Sequence, residues 1–286
     1  MKTLIFKTFF VLFVLFAANA RADSQVEFRL VQKFMIVVSV EINDAERFDF
    51  LLDTGTNSSI ITPEIAQKFK LRPQDRIELM TVAGKQIVPR AFLETVALGA
   101  AKAKEVEVLI ADLPALRAID KNIVGVLGQN FLAQFDYLFD FEKRRIEFDA
   151  GGELENRLRG KPISFETREN KLLVIASVNQ KKLRLALDSG ASHIILFGNV
   201  TRQLEFAQNQ FSLAEISTNT GNSAAKIVRL DSLLIGDKTF SDESAIIISE
   251  KDENRTEDGL LPLCLFRSIY FNHKTGFVIF NPKLSK

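Results

Sequence analysis

"FDFLLDTGTNSSIIT", residues 48–62, puts one acid at the end of a strand that has no apparent use for it. Phe50, Leu51 and Leu52 lead into Asp53, and Ile60 and Ile61 follow shortly after. A strand this apolar is buried on both faces, where an unpaired carboxylate is costly. Thr54 and Gly55 turn the chain immediately, so the acid sits at a sharp bend. Asp53 needs a partner, and its own neighbourhood offers none.

The partner emerges from self-similarity along the chain. "KFMIVVSVEINDAERFDFLLDTGTNSSIIT" (33–62) returns as "KLLVIASVNQKKLRLALDSGASHIILF" (171–197). Each has an apolar strand, a polar turn, a second apolar strand and then Asp-Thr-Gly or Asp-Ser-Gly. "TVAGKQIVPRAFLETVALGAAKAKEVEVLI" (81–110) matches "TNTGNSAAKIVRLDSLLIGDKTFSDESAIII" (218–248), and "VGVLGQNFLAQFDYLFDFEKRRIEFD" (124–149) matches "DGLLPLCLFRSIYFNHKTGFVIFN" (258–281). A unit of roughly 125 residues is therefore present twice. We expect lobes at 24–149 and 162–286, joined by the polar, Gly-bearing linker "AGGELENRLRGK" (150–161).

Both units read as β. Runs such as "MIVVSVEI", "EVEVLIA" and "RRIEFD" are rich in Val, Ile and Phe and are separated by turn residues. Short helices are predicted at "TPEIAQKF" and "GQNFLAQF", and at "FGNVTRQLEF" and "PLCLFRSI" in the second unit. The fold class expected is all-β: two homologous lobes with short helices about a pseudo-twofold axis, a symmetric dimer made covalent. The charged run "SEKDENRTED" (249–258) has no apolar period and reads as a solvated loop.

Composition narrows the partners. Lys plus Arg (37) nearly balances Asp plus Glu (36), leaving no basic excess for a phosphate backbone, so nucleic acid is excluded as the expected partner. Lys2 and Lys7, the apolar run Phe9–Ala18 and the small residues of "ANARA" form an export-signal pattern over 1–22, with cleavage after Ala20 or Ala22. The run is short for a bilayer span, so no membrane association is expected after cleavage. The single cysteine, Cys264, allows no internal disulfide and reads as a buried small apolar residue of "GLLPLCLF". Such usage suits a bacterial periplasmic or secreted protein.

In a duplicated unit, a motif common to both halves can meet itself on the axis. Asp53 then faces Asp188. Two carboxylates about 3 Å apart cannot both ionise, and share one proton. One becomes a base that takes a proton from a water held between them; the other, an acid, donates to an amide carbonyl. That is hydrolysis without metal, cofactor or covalent intermediate. Gly55 and Gly190 permit the tight turns. Thr54 and Ser189 carry hydroxyls that reach across the axis. Thr56 is expected to donate to the Asp53 carboxylate, which Ala191 cannot do for Asp188.

"LLDTGTNSS" and "LALDSGAS" resemble the active-site strands of the aspartic proteases, the group of pepsin and the retroviral proteases. "VGVLGQNFL" resembles the apolar-apolar-Gly segment that passes under the catalytic loop. Each unit resembles a single retropepsin-like β-barrel domain, and the resemblance spans nearly all of 28–282. It implies an aspartic endopeptidase with Asp53 and Asp188 as catalytic dyad, acting on a peptide or protein substrate. It also implies a pepsin-like bilobal arrangement in one chain, a monomer with an internal pseudo-dimer. By the same likeness, Val82, Ala83, Gly84 and Lys85 belong to a hairpin flap over the groove, with a second flap near 217–224. The second unit departs from the pattern: Pro262 stands where the first has Gly128, and Pro has no N–H.

The alternative is a non-catalytic peptide- or protein-binding module on the same bilobal fold. His193 reads as a polar residue near the cleft, and His273, in the turn "NHKTG", as a surface residue. Two distant histidines and one cysteine do not suggest a metal site.

Overall fold

A computed structural model describes residues 24–81, 84–149, 151–201, 203–204, 206, 211–218, 221–248 and 255–284. The expected signal segment, the flap positions Val82 and Ala83 and most of the charged run 249–258 lie outside these.

The first lobe is built on one eight-stranded sheet. Its order is Arg29–Val31, Met35–Ile42, Glu46–Leu52, Ile123–Leu127, Ser59–Ile61, Ala101–Ile110, Gly84–Leu98 and Asp75–Thr81. Met35–Ile42 pairs again with Gly84–Leu98 at Glu41↔Ala97 and Ile42↔Val96, which closes the sheet into a barrel. The second lobe repeats this order in ten strands. There Lys181–Asp188 lies between Lys171–Val178 and Gly259–Pro262, and Ile194–Phe197 lies beyond. The fifteen-residue strand Gly84–Leu98 becomes two, Gly221–Arg229 and Leu233–Ile235, and Leu233–Ile235 supplies the closing contact at Ala176↔Ile235.

A third sheet joins the lobes: Gln25–Glu27, Arg145–Phe148, Tyr137–Asp140, Ser268–Asn272, Phe277–Phe280 and Ile163–Ser164. Its centre explains the symmetry. Tyr137–Asp140 pairs antiparallel with its own duplicate, Ser268–Asn272, through Tyr137↔Phe271, Leu138↔Tyr270 and Phe139↔Ile269. In the repeat, Leu138 corresponds to Tyr270, Tyr137 to Ile269 and Phe139 to Phe271. Every pair is thus reciprocal, and the pseudo-twofold axis passes through Leu138 and Tyr270. The buried core is continuous from Phe28 and Ile36 in one lobe, through Tyr137, Phe139 and Phe271, to Val174 and Leu196 in the other.

The segment expected as a linker is structured. Glu153–Arg157 is helical, with Leu154 N–H and Glu155 N–H capped by the Asp149 carboxylate at 2.9 and 2.9 Å. Leu158–Arg159 pairs with Lys283–Leu284, and Leu154 and Leu158 are buried. Its two leucines, spaced one helical turn apart, find an apolar seat beside Tyr270 and Ile279. The helix at "TPEIAQKF" forms as Pro63–Lys68, and "GQNFLAQF" gives the short Gln129–Leu132. "FGNVTRQLEF" gives Gly198–Thr201, but "PLCLFRSI" makes only the 3₁₀ turn Leu263–Leu265. A helix at Pro114–Ile119 has no counterpart among those expected.

Candidate active site

Two strand ends bring the acids together. In the first lobe, Glu46–Leu52 runs parallel to Ile123–Leu127 with Leu52 opposite Leu127, and Asp53 N–H donates to Leu127 O at 3.0 Å. In the second, Asp188 itself lies opposite Pro262. Leu187 and Leu261 are buried around it, and Pro262 extends the strand without breaking the register.

Across the axis the loops interlock. Thr54 N–H donates to Ser189 Oγ at 2.9 Å, and Ser189 N–H returns to Thr54 Oγ1 at 3.0 Å. Thr54 Oγ1 then donates to Leu187 O at 2.9 Å, and Ser189 Oγ to Leu52 O at 2.8 Å. Thr54 is 0% and Ser189 3% exposed, so four buried bonds tie one lobe to the other directly behind the acids. The hydroxyls thus reach across the axis as the sequence suggests.

Asp53 and Asp188 lie within hydrogen-bonding reach of each other. The approach depends on glycine. A Cβ at Gly55 would stand 2.5 Å from Asp188 Cγ, and one at Gly190 would stand 3.1 Å from Asp53 Cγ. Each carboxylate is met by its own turn. Gly55 N–H donates to Asp53 Oδ1 at 2.8 Å, while Gly190 and Ala191 N–H donate to Asp188 Oδ1 at 2.7 and 3.1 Å. Removal from water holds both acids above the usual carboxylate range, and the charge of Asp53 pushes Asp188 up further. The backbone donors act against this without offsetting it.

Two expectations are corrected here. Thr56 does not donate to Asp53: its Oγ1 donates to Ser58 O at 3.3 Å. Nor does Ala191 deprive Asp188 of support, because a backbone N–H does what the side chain cannot. The inequality between the acids therefore runs opposite to that expected: Asp188 has two backbone donors and Asp53 one.

Beneath the Asp53 loop is a polar set that the sequence reading did not single out. Asn130 Oδ1 accepts from Ser59 N–H at 2.9 Å and Ser59 Oγ at 2.8 Å, and Asn130 Nδ2 donates to Glu107 O at 2.7 Å. Ser59 Oγ accepts from Gly128 N–H at 3.1 Å. Gln129 Nε2 donates to Thr54 O at 3.2 Å. Their counterparts in the second lobe are Ile194, Pro262, Leu263 and Cys264. The available signal was this contrast within the repeat: polar residues in one copy facing apolar ones in the other.

The other candidates fall elsewhere. Gly84 pairs with Thr81 at the tip of a hairpin and Lys85 with Met80, and Lys85 Nζ lies 3.0 Å from Glu78. Thr218↔Gly221 closes a second hairpin with a tip of the same length. His193 is exposed, with Nδ1 2.8 Å from Ser192 Oγ. Cys264 is exposed, not buried. The 3₁₀ turn sends Leu263 inward and Cys264 outward, so an apolar sequence context did not bury it. His273 is no surface residue either: its ring is packed among Tyr137, Phe165 and Phe271. Among the described residues no group of three or more His, Cys, Asp or Glu side chains is placed to hold a metal ion.

The aspartyl protease family model matches the chain twice, over residues 38–131 and 174–263. The chain belongs to the aspartyl protease family. Both matches contain an Asp-Thr/Ser-Gly loop and the strand running beneath it, so the family assignment and the internal duplication coincide. The crystal structure of a retropepsin-like aspartic protease from Rickettsia conorii is 21% identical to this aspartyl protease homologue. It covers 45% of this chain and 95% of its own, with a TM-score of 0.35. No curated protein matches the chain.

Proposed function

We propose that this member of the aspartyl protease family is an aspartic endopeptidase that cleaves peptide bonds with a water activated by Asp53 and Asp188. One observation carries the reading: the two acids, at equivalent ends of duplicated strands, lie within hydrogen-bonding reach over an interlocked Thr54–Ser189 pair. Drawn together with Asp188 buried and Asp53 half-buried, they retain a single proton over a range of pH in which isolated carboxylates would have lost theirs. The pair shares one proton, so the ionised carboxyl is the base and the protonated one the acid. The ionised carboxyl takes a proton from the bridging water as it attacks the amide carbon, and the protonated one gives its proton to the carbonyl oxygen. The first carboxyl then passes its proton to the leaving nitrogen as the C–N bond breaks, and a hydroxyl of the tetrahedral carbon returns a proton to the second. The hairpins ending at Thr81–Gly84 and Thr218–Gly221 act as flaps over the peptide.

The test is hydrolysis of an internally quenched peptide drawn from a randomised library. Asp53→Asn and Asp188→Asn should each abolish turnover while leaving the fold intact by circular dichroism. Retained cleavage in both would sink the mechanism, and intact peptide bound by the wild-type chain would point to a binding module instead. The 1–22 pattern extends the proposal to a bacterial exported enzyme, active as a monomer. Mature protein beginning after Ala20 or Ala22 in a periplasmic fraction, and a single-chain mass by light scattering, support it.

A further inference from the structure

Gln129 is 0% exposed, and its amide makes a single hydrogen bond, from Nε2 to Thr54 O. The orientation is forced, because a carbonyl accepts and only Nε2 donates. Its Oε1 is buried with no partner among the described residues. An orphaned buried acceptor is costly, and few survive in a native structure without a reason. The second lobe shows that the fold does not require it: the equivalent residue is Leu263, also 0% exposed. An apolar side chain therefore serves this position structurally, and the amide is retained at a cost.

What the amide holds is Thr54, the residue next to Asp53. Thr54 N–H and Oγ1 are committed across the axis to Ser189 and Leu187, and its carbonyl oxygen is held from below by Gln129. The adjoining carbonyls are fixed by the same short helix: Gln129 N–H donates to Thr56 O at 2.9 Å and Asn130 N–H to Asn57 O at 3.2 Å. On the Asp188 side, the carbonyls of Ala191 and Ser192 meet the Cys264 thiol at 4.0 and 3.9 Å. A sulfhydryl is a weak donor. The dyad thus has one firmly held half and one softer half.

We propose that Gln129 is a positioning residue that fixes the Asp53 loop through Thr54 and so sets the separation of the two carboxyls. The inference rests on the protease reading above. Small displacements matter because misplacing a reacting group by about 1 Å costs on the order of a hundredfold in rate. They also change the coupling between the acids. If Asp53 drifts from Asp188, their repulsion weakens and the two apparent pKa values of the bell-shaped profile draw together.

The experiment compares wild type with Gln129→Leu and Gln129→Glu on the same quenched peptide across pH. Gln129→Leu copies the second lobe. It should keep Tm within about 4 °C, since it removes one orphan and creates another. Its kcat should fall roughly tenfold with KM unchanged, and its pH profile should narrow. Gln129→Glu donates to Thr54 O only while protonated, so it should approach wild-type kcat at acid pH and lose it on the alkaline side. This second variant also decides the matter should Gln129→Leu fail to fold. Wild-type cleavage with parent kcat and profile width in Gln129→Leu, or with no added alkaline loss in Gln129→Glu, overturns this inference alone. A wild-type chain that cleaves nothing overturns it together with the protease reading.

Discussion

Acid should loosen the contact between the lobes through His273. Its imidazole lies on the turn after Ser268–Asn272, stacked on Phe271 and packed on Tyr137 and Phe165. His273 N–H donates to Asp136 Oδ1 of the other lobe at 2.6 Å, and Nε2 lies 3.4 Å from Tyr137 Oη. Burial drives the imidazole pKa down to about 4, from 6.5. The unfolded chain therefore takes up the proton first as pH falls, so stability is full above about pH 6.5 and declines toward pH 4. At about 1.4 kcal/mol per unit, the loss reaches about 3 kcal/mol, or roughly 6–12 °C in Tm for a chain of this size. His273 lines a cavity of about 400 Å³ together with Asp136, Asp149 and Lys274. The dyad contributes with the opposite sign, because carboxyls held high in the folded state favour it at low pH. The dyad's contribution is shared by wild type and His273→Phe, so the difference between the two isolates the imidazole. Phe suits a site lined by three aromatic rings. We expect the two proteins to match within about 1 kcal/mol at pH 7, and His273→Phe to gain about 3 kcal/mol on wild type by pH 4, read from denaturant melts across pH. Parallel stability–pH curves for the two proteins would refute the reasoning.

Other sites give further tests. Gly55→Ala should abolish cleavage even if folded, because the new Cβ would stand 2.5 Å from Asp188 Cγ and must force the carboxyls apart; an active, folded variant by peptide assay contradicts this. Thr54→Ala removes one donor and one acceptor from the buried interlock and should cost about 2–3 kcal/mol in urea unfolding, with lobe contact weakened first; no loss of stability contradicts this. Glu257, wholly buried, is held below the usual carboxylate range despite burial by Lys171, Arg255 and Thr256. Glu257→Gln removes the buried charge that Lys171 and Arg255 pair with and should cost about 3–5 kcal/mol, whereas a change within about 1 kcal/mol would show the cluster to be wet.

Strand content was legible from alternation and β-branched runs, because a pleated sheet imposes its period on any sequence that forms it. The barrel's breaks were less so: the fifteen-residue Gly84–Leu98 and its split counterpart differ by where the second lobe bends at Leu230–Ser232. The missed features share a cause. Leu154 and Leu158 looked like linker residues because their apolar seat is formed by distant strands. His273 looked exposed in a polar turn, yet that turn folds onto aromatic rings from both lobes. Cys264 looked buried among leucines, yet a 3₁₀ turn decides which of them face inward. Thr56 was assigned a bond that its loop geometry gives to Ser58 O.

The amino-acid sequence alone determined the duplication, the β class and the identity of the two acids, since each is a matter of pattern along the chain. An Asp-Thr-Gly or Asp-Ser-Gly turn at the end of an apolar strand is readable wherever it falls. Only the tertiary structure decided what surrounds those acids. Hydrogen bonds, exclusion of water and the distance between carboxyls depend on atoms brought from far along the chain. The interlock of Thr54 with Ser189, the two backbone donors to Asp188 and the orphaned amide of Gln129 exist only once the lobes have closed on each other.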